Sequence, residues 1–469
     1  MGYAGDPVAR TQNIDGLAAE GVVFRRCCAT SPVCMATRAS FISGKHVNDH
    51  GVWARADPEL RHGPSHVRNI RDAGYCTAIV GKTHLWLHGG GHTRDHIDEM
   101  HDYGYTSVME MTGPVESAST DSPYTDYLTE KGLLDTYREY LRTYLRGQKQ
   151  GVSLPWELPP SLLPTEDHLD MYIARQASEW ILTYQDDRPF YLQICFGGPH
   201  DPWDSPASYR RMYNADEMPL SITDQATGPM SPHVEMLLKY APAKLNAMSE
   251  AQNRVMKTYY YGKVSLIDDC IGRIIDALEE KGMMENTWII FSSDHGEMLG
   301  DHGLIAKKVF YDGALNIPCI VRPPGGIEGW QSNGLTDHLD IGATLLDAAG
   351  AAPYEDSDGR SLLPLIAGGS DAPNAHVHKE AILSEMGLPP MAYSMVRTDR
   401  YKMSVNTLTR KPLDLYDMKE DPYELHNQVN NPSFKAVCEE LLSVHLDRLL
   451  SRMNLSNLKG NSRKQWLKK

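Results

Sequence analysis

The sequence predicts an α/β protein in which a mostly parallel mixed sheet is sandwiched by helices, with a small C-terminal unit of antiparallel sheet plus helix. Three observations lead to this prediction. Short apolar runs alternate with segments of helical periodicity, as in strand–helix units. Several of these runs end in glycine-rich polar segments, as strands do at the ligand-binding edge of an open α/β sheet. Near residue 375 the pattern changes to closely spaced short strands.

A chain of 469 residues exceeds the size at which a single hydrophobic core stops growing, so a large and a smaller unit are expected. We place a catalytic α/β domain at 1–375 and an α+β subdomain at 376–469. In the first, strands are predicted at Val22–Phe24, Thr77–Val80, Tyr191–Phe196, Trp288–Phe291 and Cys319–Val321. Helices are predicted at Asn13–Glu20, Arg38–Ile42, Leu169–Tyr184, Asn253–Lys281 and His338–Ala348.

The smaller unit and the long connections complete the predicted organisation. Its strands are expected at Ala381–Glu385, Ser394–Arg397, Tyr401–Val405 and Asp414–Tyr416, followed by a helix from Ser433 to Leu450. Two insertions, 89–164 and 205–244, have weak periodicity, and long loops of this kind are usually functional. We expect the first, with a helix near Leu133–Leu145, to cover the pocket, and the basic tail 459–469 to be a frayed end.

Bulk composition excludes several classes of function. The formal charge of −15 argues against general nucleic-acid binding. No apolar run is long enough to span a membrane, so no membrane partner is expected. The eight cysteines lack paired metal-type spacing and mostly lie in apolar segments. Buried thiols of this kind fit a reducing compartment, and we expect the cytoplasm.

The run from Cys34 to Gly44 carries the strongest functional signal of the N-terminal part. Cys34 stands at the start of a short helical pattern, where free N–H groups and the positive dipole end favour an anion. Arg38 follows one turn later and points to the same spot. The other interpretation of this segment alone is a buried cysteine with a solvated arginine.

Polar residues also follow two further strand patterns. Lys82 and His84 come directly after Thr77–Val80, and residues two apart at a strand end share a face. His200 stands in a turn rich in glycine and proline after Tyr191–Phe196, which favours a rigid loop. Each feature alone also fits an ordinary surface position.

The segment after Trp288–Phe291 is the most specific one. Asp294 and His295 follow the strand side by side, and a carboxylate beside an imidazole suits a divalent metal. Lys307 comes shortly after, with Lys308 as an alternative.

Together these motifs resemble, in order and position, those of the sulfatases in the alkaline phosphatase superfamily, and the resemblance covers nearly the whole chain. It implies an alkaline phosphatase-like fold and a sulfuric ester hydrolase. In that family the cysteine of the Cys-x-Ala-x-Arg signature, here Cys34, is oxidised to formylglycine by a maturase. Phosphonate monoester and phosphodiester hydrolases of the superfamily use the same aldehyde, and a catalytically impaired anion-binding homologue is a third reading.

The resemblance also implies roles for the individual residues. One hydroxyl of the hydrated aldehyde attacks sulfur and displaces the alcohol, and the other then expels sulfate. Cys34, Asp294 and His295 would hold a divalent metal, calcium or manganese. Positive charge for the transferring group and proton transfer would come from Arg38, Lys82, His84, His200 and Lys307. The substrate would be a small-molecule or saccharide sulfate ester.

One departure from the family pattern concerns the N-terminus. Sulfatases begin with a hydrophobic strand that ends in two adjacent aspartates, both of them metal ligands. Met1 falls just after the point where that strand should finish, and Asp6 matches neither ligand. We expect a sequence that starts late, and a homologue without half of its metal site is the alternative.

Overall fold

The computed structural model describes residues 1–53, 58–223, 226–388 and 391–451. The basic tail at 459–469 therefore lies outside the described residues. The helices are α1 Gln12–Ala19, α2 Cys34–Ser43, α3 Val47–His50, α4 His66–Asp72, α5 Ile97–Tyr103, α6 Pro123–Glu130, α7 Leu134–Lys149, α8 Leu169–Thr183, α9 Ala207–Arg210, α10 Pro232–Tyr240, α11 Ala243–Asn246, α12 Glu250–Glu280, α13 Asp312–Leu315, α14 His338–Ala348, α15 Leu363–Gly368, α16 Lys435–Glu440 and α17 Asp447–Leu449. The strands are β1 Val22–Cys28, β2 Cys76–Gly81, β3 Ser107–Glu110, β4 Phe190–Cys195, β5 Ile289–Ser292, β6 Asn316–Ile317, β7 Cys319–Arg322, β8 Trp330–Asp337, β9 Ala381–Met386, β10 Tyr393–Thr398, β11 Tyr401–Asn406 and β12 Pro412–Asp417.

The predicted fold class is confirmed. In the larger unit, β3, β2 and β4 form a parallel sheet in that order. A five-stranded mixed sheet pairs β1 in parallel with β8 and antiparallel with β6 and β7, and β5 joins it through β7. The described helices include none that is both long and apolar enough to cross a bilayer.

Register in the parallel sheet brings two of the polar segments together. Gly81 at the end of β2 lies opposite Cys195 at the end of β4, and the next backbone N–H, of Lys82, donates to the Cys195 carbonyl at 3.0 Å. Gly81 has φ 111°, and a Cβ there would overlap the Cys195 carbonyl oxygen, so the close approach requires glycine. The segments carrying Lys82 and His200 therefore start from the same edge of the sheet.

The C-terminal strands form an antiparallel sheet in the order β12-β11-β10-β9. The helix predicted after them is present but irregular, because π-helical residues 441–446 separate α16 from α17. The expected boundary between residues 375 and 376 stays a prediction.

Buried charges join this sheet to the segment that follows Lys307. Asp312 accepts hydrogen bonds from Arg397 Nη1 and Lys402 Nζ, both at 2.7 Å, and Lys402 also donates to Glu424 Oε1 at 2.5 Å. The Glu424 carboxylate in turn accepts the backbone N–H of Asp312 at 2.7 Å. Because these four side chains are largely removed from water, replacing one of them would leave a charge without a partner and destabilise the fold. The C-terminal sheet thus supports a loop of the larger unit.

Glu385 of β9 links the same sheet to the region just after α2. Its buried carboxylate accepts Asn48 N at 2.9 Å and Asn48 Nδ2 at 3.1 Å, with Ser394 Oγ at 3.4 Å. Burial raises the pKa of the Glu385 carboxyl from 4.5 to about 7, although these donors lower it. The folded protein therefore holds a proton here at pH values where the unfolded chain has lost it.

This proton predicts a pH-dependent stability. Between about pH 4.5 and 7 the native fold should lose about 3 kcal/mol, because only the unfolded chain ionises at this position. Glu385→Gln cannot titrate, and its amide can donate to Asn48 Oδ1, which lacks a partner. We expect the stability of Glu385→Gln relative to the native protein to rise across this window in urea unfolding. Glu380→Gln, at an exposed side chain (77%), should show no such trend, and parallel curves for all three proteins would contradict the prediction.

Candidate active site

Cys34 is the first residue of α2 and lies buried between three histidines. Its Sγ is 3.0 Å from His295 Nε2. Burial and the charge of Asp294 oppose ionisation of the thiol, but hydrogen bonds from His200, His295 and His84 lower the pKa of Cys34 well below its ordinary value. An anion at this position is thus stabilised by the three surrounding histidines.

Arg38 connects Cys34 to two other segments of the site. Its Nε donates to Asp294 Oδ2 at 2.9 Å, and its Nη1 donates to the Lys82 carbonyl at 2.5 Å. The guanidinium lies one turn beyond Cys34, as expected. Its fixed fork of donors holds the loops after β2 and β5 against α2.

Lys82 and His84 both reach the site, but the reason differs from the strand alternation we invoked. The strand β2 ends at Gly81, and His84 has φ 57°, so the segment is turned instead of extended. Lys82 is buried, and His84 faces Cys34, with its Nδ1 lacking a hydrogen-bond partner. Burial lowers the pKa of His84, although Cys34 opposes this shift.

His200 faces Cys34 from the loop after β4. Its Nδ1 lies 2.9 Å from the Asp201 carbonyl oxygen and 3.0 Å from Asp201 Oδ1. Burial opposes protonation, but the hydrogen bonds that His200 donates to Asp201 and Cys34 raise the pKa of His200 to about 9. Tyr144 of α7 donates to Asp201 Oδ2 at 3.0 Å, so a helix of the first insertion supports this loop.

Asp294 and His295 follow β5 and complete the wall opposite α2. The backbone N–H of His295 donates to Asp294 Oδ1 at 3.1 Å, and His295 Nδ1 lies 2.8 Å from the Gly296 carbonyl. Since a carbonyl can only accept, Nδ1 carries a proton, and Nε2 faces Cys34. Burial opposes protonation of the ring, but Asp294 and Cys34 raise the pKa of His295. Burial opposes ionisation of the Asp294 carboxyl, but His295, Arg38 and Lys307 hold its pKa well below the usual range.

Cys34, Asp294 and His295 form a group suited to a metal ion. One ligand atom from each lies within 4.8 Å of the others. A partly buried carboxylate oxygen and an imidazole nitrogen fit a divalent cation.

Lys307, rather than Lys308, belongs to this site by position. Lys307 is half-buried, and Cys34 and Asp294 raise its pKa against the effect of burial, whereas Lys308 is exposed. Its loop is strained, since Ala306 and Lys308 have φ values of 68° and 75°. The carboxylate of Glu297 accepts the backbone N–H of Ala306 and so fixes this loop.

Two residues at the site escaped sequence reasoning. His338 is buried and joins two loops: its Nδ1 accepts Thr30 N at 3.4 Å, and its Nε2 donates to the Ser293 carbonyl at 2.9 Å. Glu116 lies in the weakly patterned first insertion, yet its Oε2 is 3.6 Å from Lys82 Nζ. No local pattern marks either residue, since both act through contacts distant in sequence.

Comparison with known proteins agrees with this geometry. A family model described as sulfatase matches residues 1–351, and one described as N-sulphoglucosamine sulphohydrolase, C-terminal, matches residues 300–451. An arylsulfatase of Clostridium perfringens is 26% identical, over 96% of this chain and 92% of its own.

Solved structures show the same fold. The phosphonate monoester hydrolase of Agrobacterium radiobacter is 22% identical with a TM-score of 0.71, covering 96% of this chain and 92% of its own. The protein BT4656, solved in complex with its substrate D-glucosamine-2-N,6-O-disulfate, is 19% identical with a TM-score of 0.71, covering 97% and 95%. The sulfatase model spans most of the chain, including every residue discussed around Cys34. The protein belongs to the sulfatase family of the alkaline phosphatase superfamily.

Proposed function

We propose that this sulfatase cleaves sulfate monoesters by covalent catalysis at position 34, after a maturase has oxidised Cys34 to formylglycine. The observation that carries the proposal is the convergence of three histidines on a buried Sγ at a helix start. Such surroundings stabilise an anionic nucleophile. Sulfate ester hydrolysis is the activity of the family, and the alcohol part of the ester is proposed to be an aryl group or a saccharide.

We further propose a divalent metal, calcium or manganese, held by Asp294, His295 and the side chain at position 34. The fit rests on the donor set: one ionised carboxylate, one imidazole whose Nδ1 is held by the Gly296 carbonyl so that Nε2 is the nitrogen a metal would take, and one side chain facing both. When bound, the ion would lower the pKa of the nucleophile and polarise a sulfate oxygen.

The protein side chains supply the remaining electrostatics. Lys82 and Lys307 offset negative charge on the transferring group. His200, held as a cation by Asp201, is placed to donate a proton to the leaving alcohol oxygen. His84, kept neutral by burial, is placed to accept one in the return step. Two histidines with opposite pKa shifts divide the acid and base roles.

Hydrolysis of phosphonate monoesters or phosphodiesters is the second candidate. The similarity in fold to a phosphonate monoester hydrolase favours including it. Such esters also carry one negative charge, so they suit the same pocket. A protein that binds the anion without turnover is the third.

Co-expression with a formylglycine-generating maturase tests the proposal. Mass spectrometry of the peptide containing Cys34 should show conversion to the aldehyde. The matured protein, with calcium or manganese added, should hydrolyse 4-nitrophenyl sulfate faster than 4-nitrophenyl phenylphosphonate. The reverse order would favour the second candidate, and unmodified thiol under conditions that convert a control sulfatase would refute the proposed nucleophile.

Replacing Lys82, His84 or His200 with Ala should lower kcat by about 10²–10³, or about 2.7–4 kcal/mol each, as for the loss of an oxyanion-hole donor. The melting temperature should be affected far less than kcat, because these residues lie beyond strand ends and not in strand interiors. Steady-state kinetics and thermal unfolding on the same preparations check both statements. Lys308→Ala, at the exposed neighbour of Lys307, is the matched control and should retain activity. A near-normal kcat for Lys82→Ala would remove Lys82 from the catalytic set.

A further inference from the structure

A carboxylate lies inside the cationic part of the site. Glu116 begins a 3₁₀ turn, Glu116–Ala118, in the first insertion, and its Oε2 is 3.6 Å from Lys82 Nζ. The Lys82 side chain is 3% exposed and that of Glu116 is 21% exposed. The buried Oε2 atom has no hydrogen-bond partner, so its main interaction is the charge of Lys82.

The surrounding backbone is shaped to permit this contact. A Cβ at Gly113 would overlap both Glu116 Oε2 and Lys82 Nζ, so glycine lets the two side chains approach. Ser117 N donates to the Gly113 carbonyl at 3.1 Å, and Thr120 N donates to the Glu116 carbonyl at 3.0 Å. Arg138 of α7 also donates to the Ser117 carbonyl at 3.1 Å. These hydrogen bonds hold in place the turn that bears the Glu116 carboxylate.

Glu116 remains ionised in these surroundings. Burial opposes ionisation, but Lys82, His200 and His84 lower the pKa of Glu116 to about 2. Pairing follows the same rule elsewhere in the site, where Asp294 offsets Arg38 and Asp201 offsets His200. The pocket thus combines several cations with built-in anions, which limits its net positive charge.

A site with limited net positive charge can discriminate between singly and doubly charged esters. Sulfate monoesters, phosphonate monoesters and phosphodiesters carry one negative charge, whereas a phosphate monoester carries close to two above its second pKa of about 6. A fixed carboxylate repels the dianion about twice as strongly as the monoanion at the same distance. We propose that Glu116 is a specificity-determining residue that makes the site favour singly charged esters over phosphate monoesters. This inference rests on the proposed function and adds its charge selectivity.

Substitution at Glu116 tests the proposal through a ratio. For Glu116→Gln, kcat/KM for 4-nitrophenyl sulfate divided by kcat/KM for 4-nitrophenyl phosphate should fall at least about tenfold at about pH 8. Glu116→Asp keeps the charge and should retain more of the ratio. Glu130→Gln, at an exposed position on α6, removes the same charge and should leave the ratio unchanged. At about pH 5, where the phosphate ester is mostly monoanionic, the effect of Glu116→Gln should shrink.

Calorimetric binding separates this inference from the proposed chemistry. In a Cys34→Ala background that cannot turn over, Glu116→Gln should strengthen binding of 4-nitrophenyl phosphate relative to 4-nitrophenyl sulfate. That result in a protein whose native form hydrolyses neither ester would support the charge selectivity and contradict the proposed function. If Glu116→Gln lowers kcat/KM equally for both esters, at both pH values, then Glu116 only orients Lys82 and the proposal is overturned.

Discussion

Replacing Cys34 with Ala should abolish turnover of sulfate esters while leaving the fold intact. Cys34 is the first residue of α2, and His84, His200 and His295 all hydrogen-bond to its side chain. Removal of a covalent nucleophile leaves only the residual effect of the binding and charge-stabilising groups. The lost Sγ fills little volume, so the melting temperature should stay close to that of the native protein.

Two further variants sharpen this experiment. Cys270→Ala removes a buried thiol of α12 that contacts Met171, away from the site, and should keep full activity. Cys34→Ser keeps a hydroxyl nucleophile but cannot expel sulfate without attack by external water. It should therefore react once and retain one sulfo group, which intact mass spectrometry detects. Native-like turnover by Cys34→Ala would show that another residue is the nucleophile.

Replacing Asp294 with Asn should have the second largest effect. The substitution preserves shape but removes the ionised carboxylate that joins Arg38 to the candidate metal group. Affinity for calcium or manganese should drop strongly, because a hard cation depends on charged oxygen donors. Turnover should fall at least about 100-fold, since a metal-supporting group and the partner of Arg38 are lost together.

Calorimetric titration with each cation, beside steady-state kinetics, measures the two effects separately. Asp399→Asn is the matched control, because its side chain is 86% exposed and pairs with Arg26 of β1. Metal affinity of Asp294→Asn equal to that of the native chain would show that this carboxylate is not a ligand. Lost turnover with unchanged metal binding would assign Asp294 to the positioning of Arg38.

Much of the fold could be predicted because local sequence patterns indicate its strands and helices. The apolar run Thr77–Val80 became β2, Cys76–Gly81, and the pattern Asn253–Lys281 became α12, Glu250–Glu280. Ser249 and Gln252 form a capping box at the start of that long helix, a signal available in the sequence. The final helix differed, because packing introduced π-helical residues 441–446 that no local preference announces.

The candidate residues, and the expectation that they lie beyond the ends of strands, came from the sequence alone. Cys34, Arg38 and Asp294 occur in motifs that resemble those of the sulfatase family, and that resemblance implies their chemistry. Positions beyond strand ends then follow, because ends of neighbouring parallel strands share one edge of a sheet.

Only the tertiary structure decided how the charges are paired. Arg38 meets Asp294 across 256 positions of sequence, and Glu116 approaches Lys82 only because a turn of the first insertion packs against the loop after β2. The choice of Lys307 over Lys308 depends on two residues with positive φ and on the Glu297 carboxylate. Coulombic interactions and backbone strain depend on distance in space, and periodicity along the chain carries no information about that distance. The residue types of the candidate site could therefore be predicted from the sequence. Which charged side chains pair with one another depends on the folded arrangement.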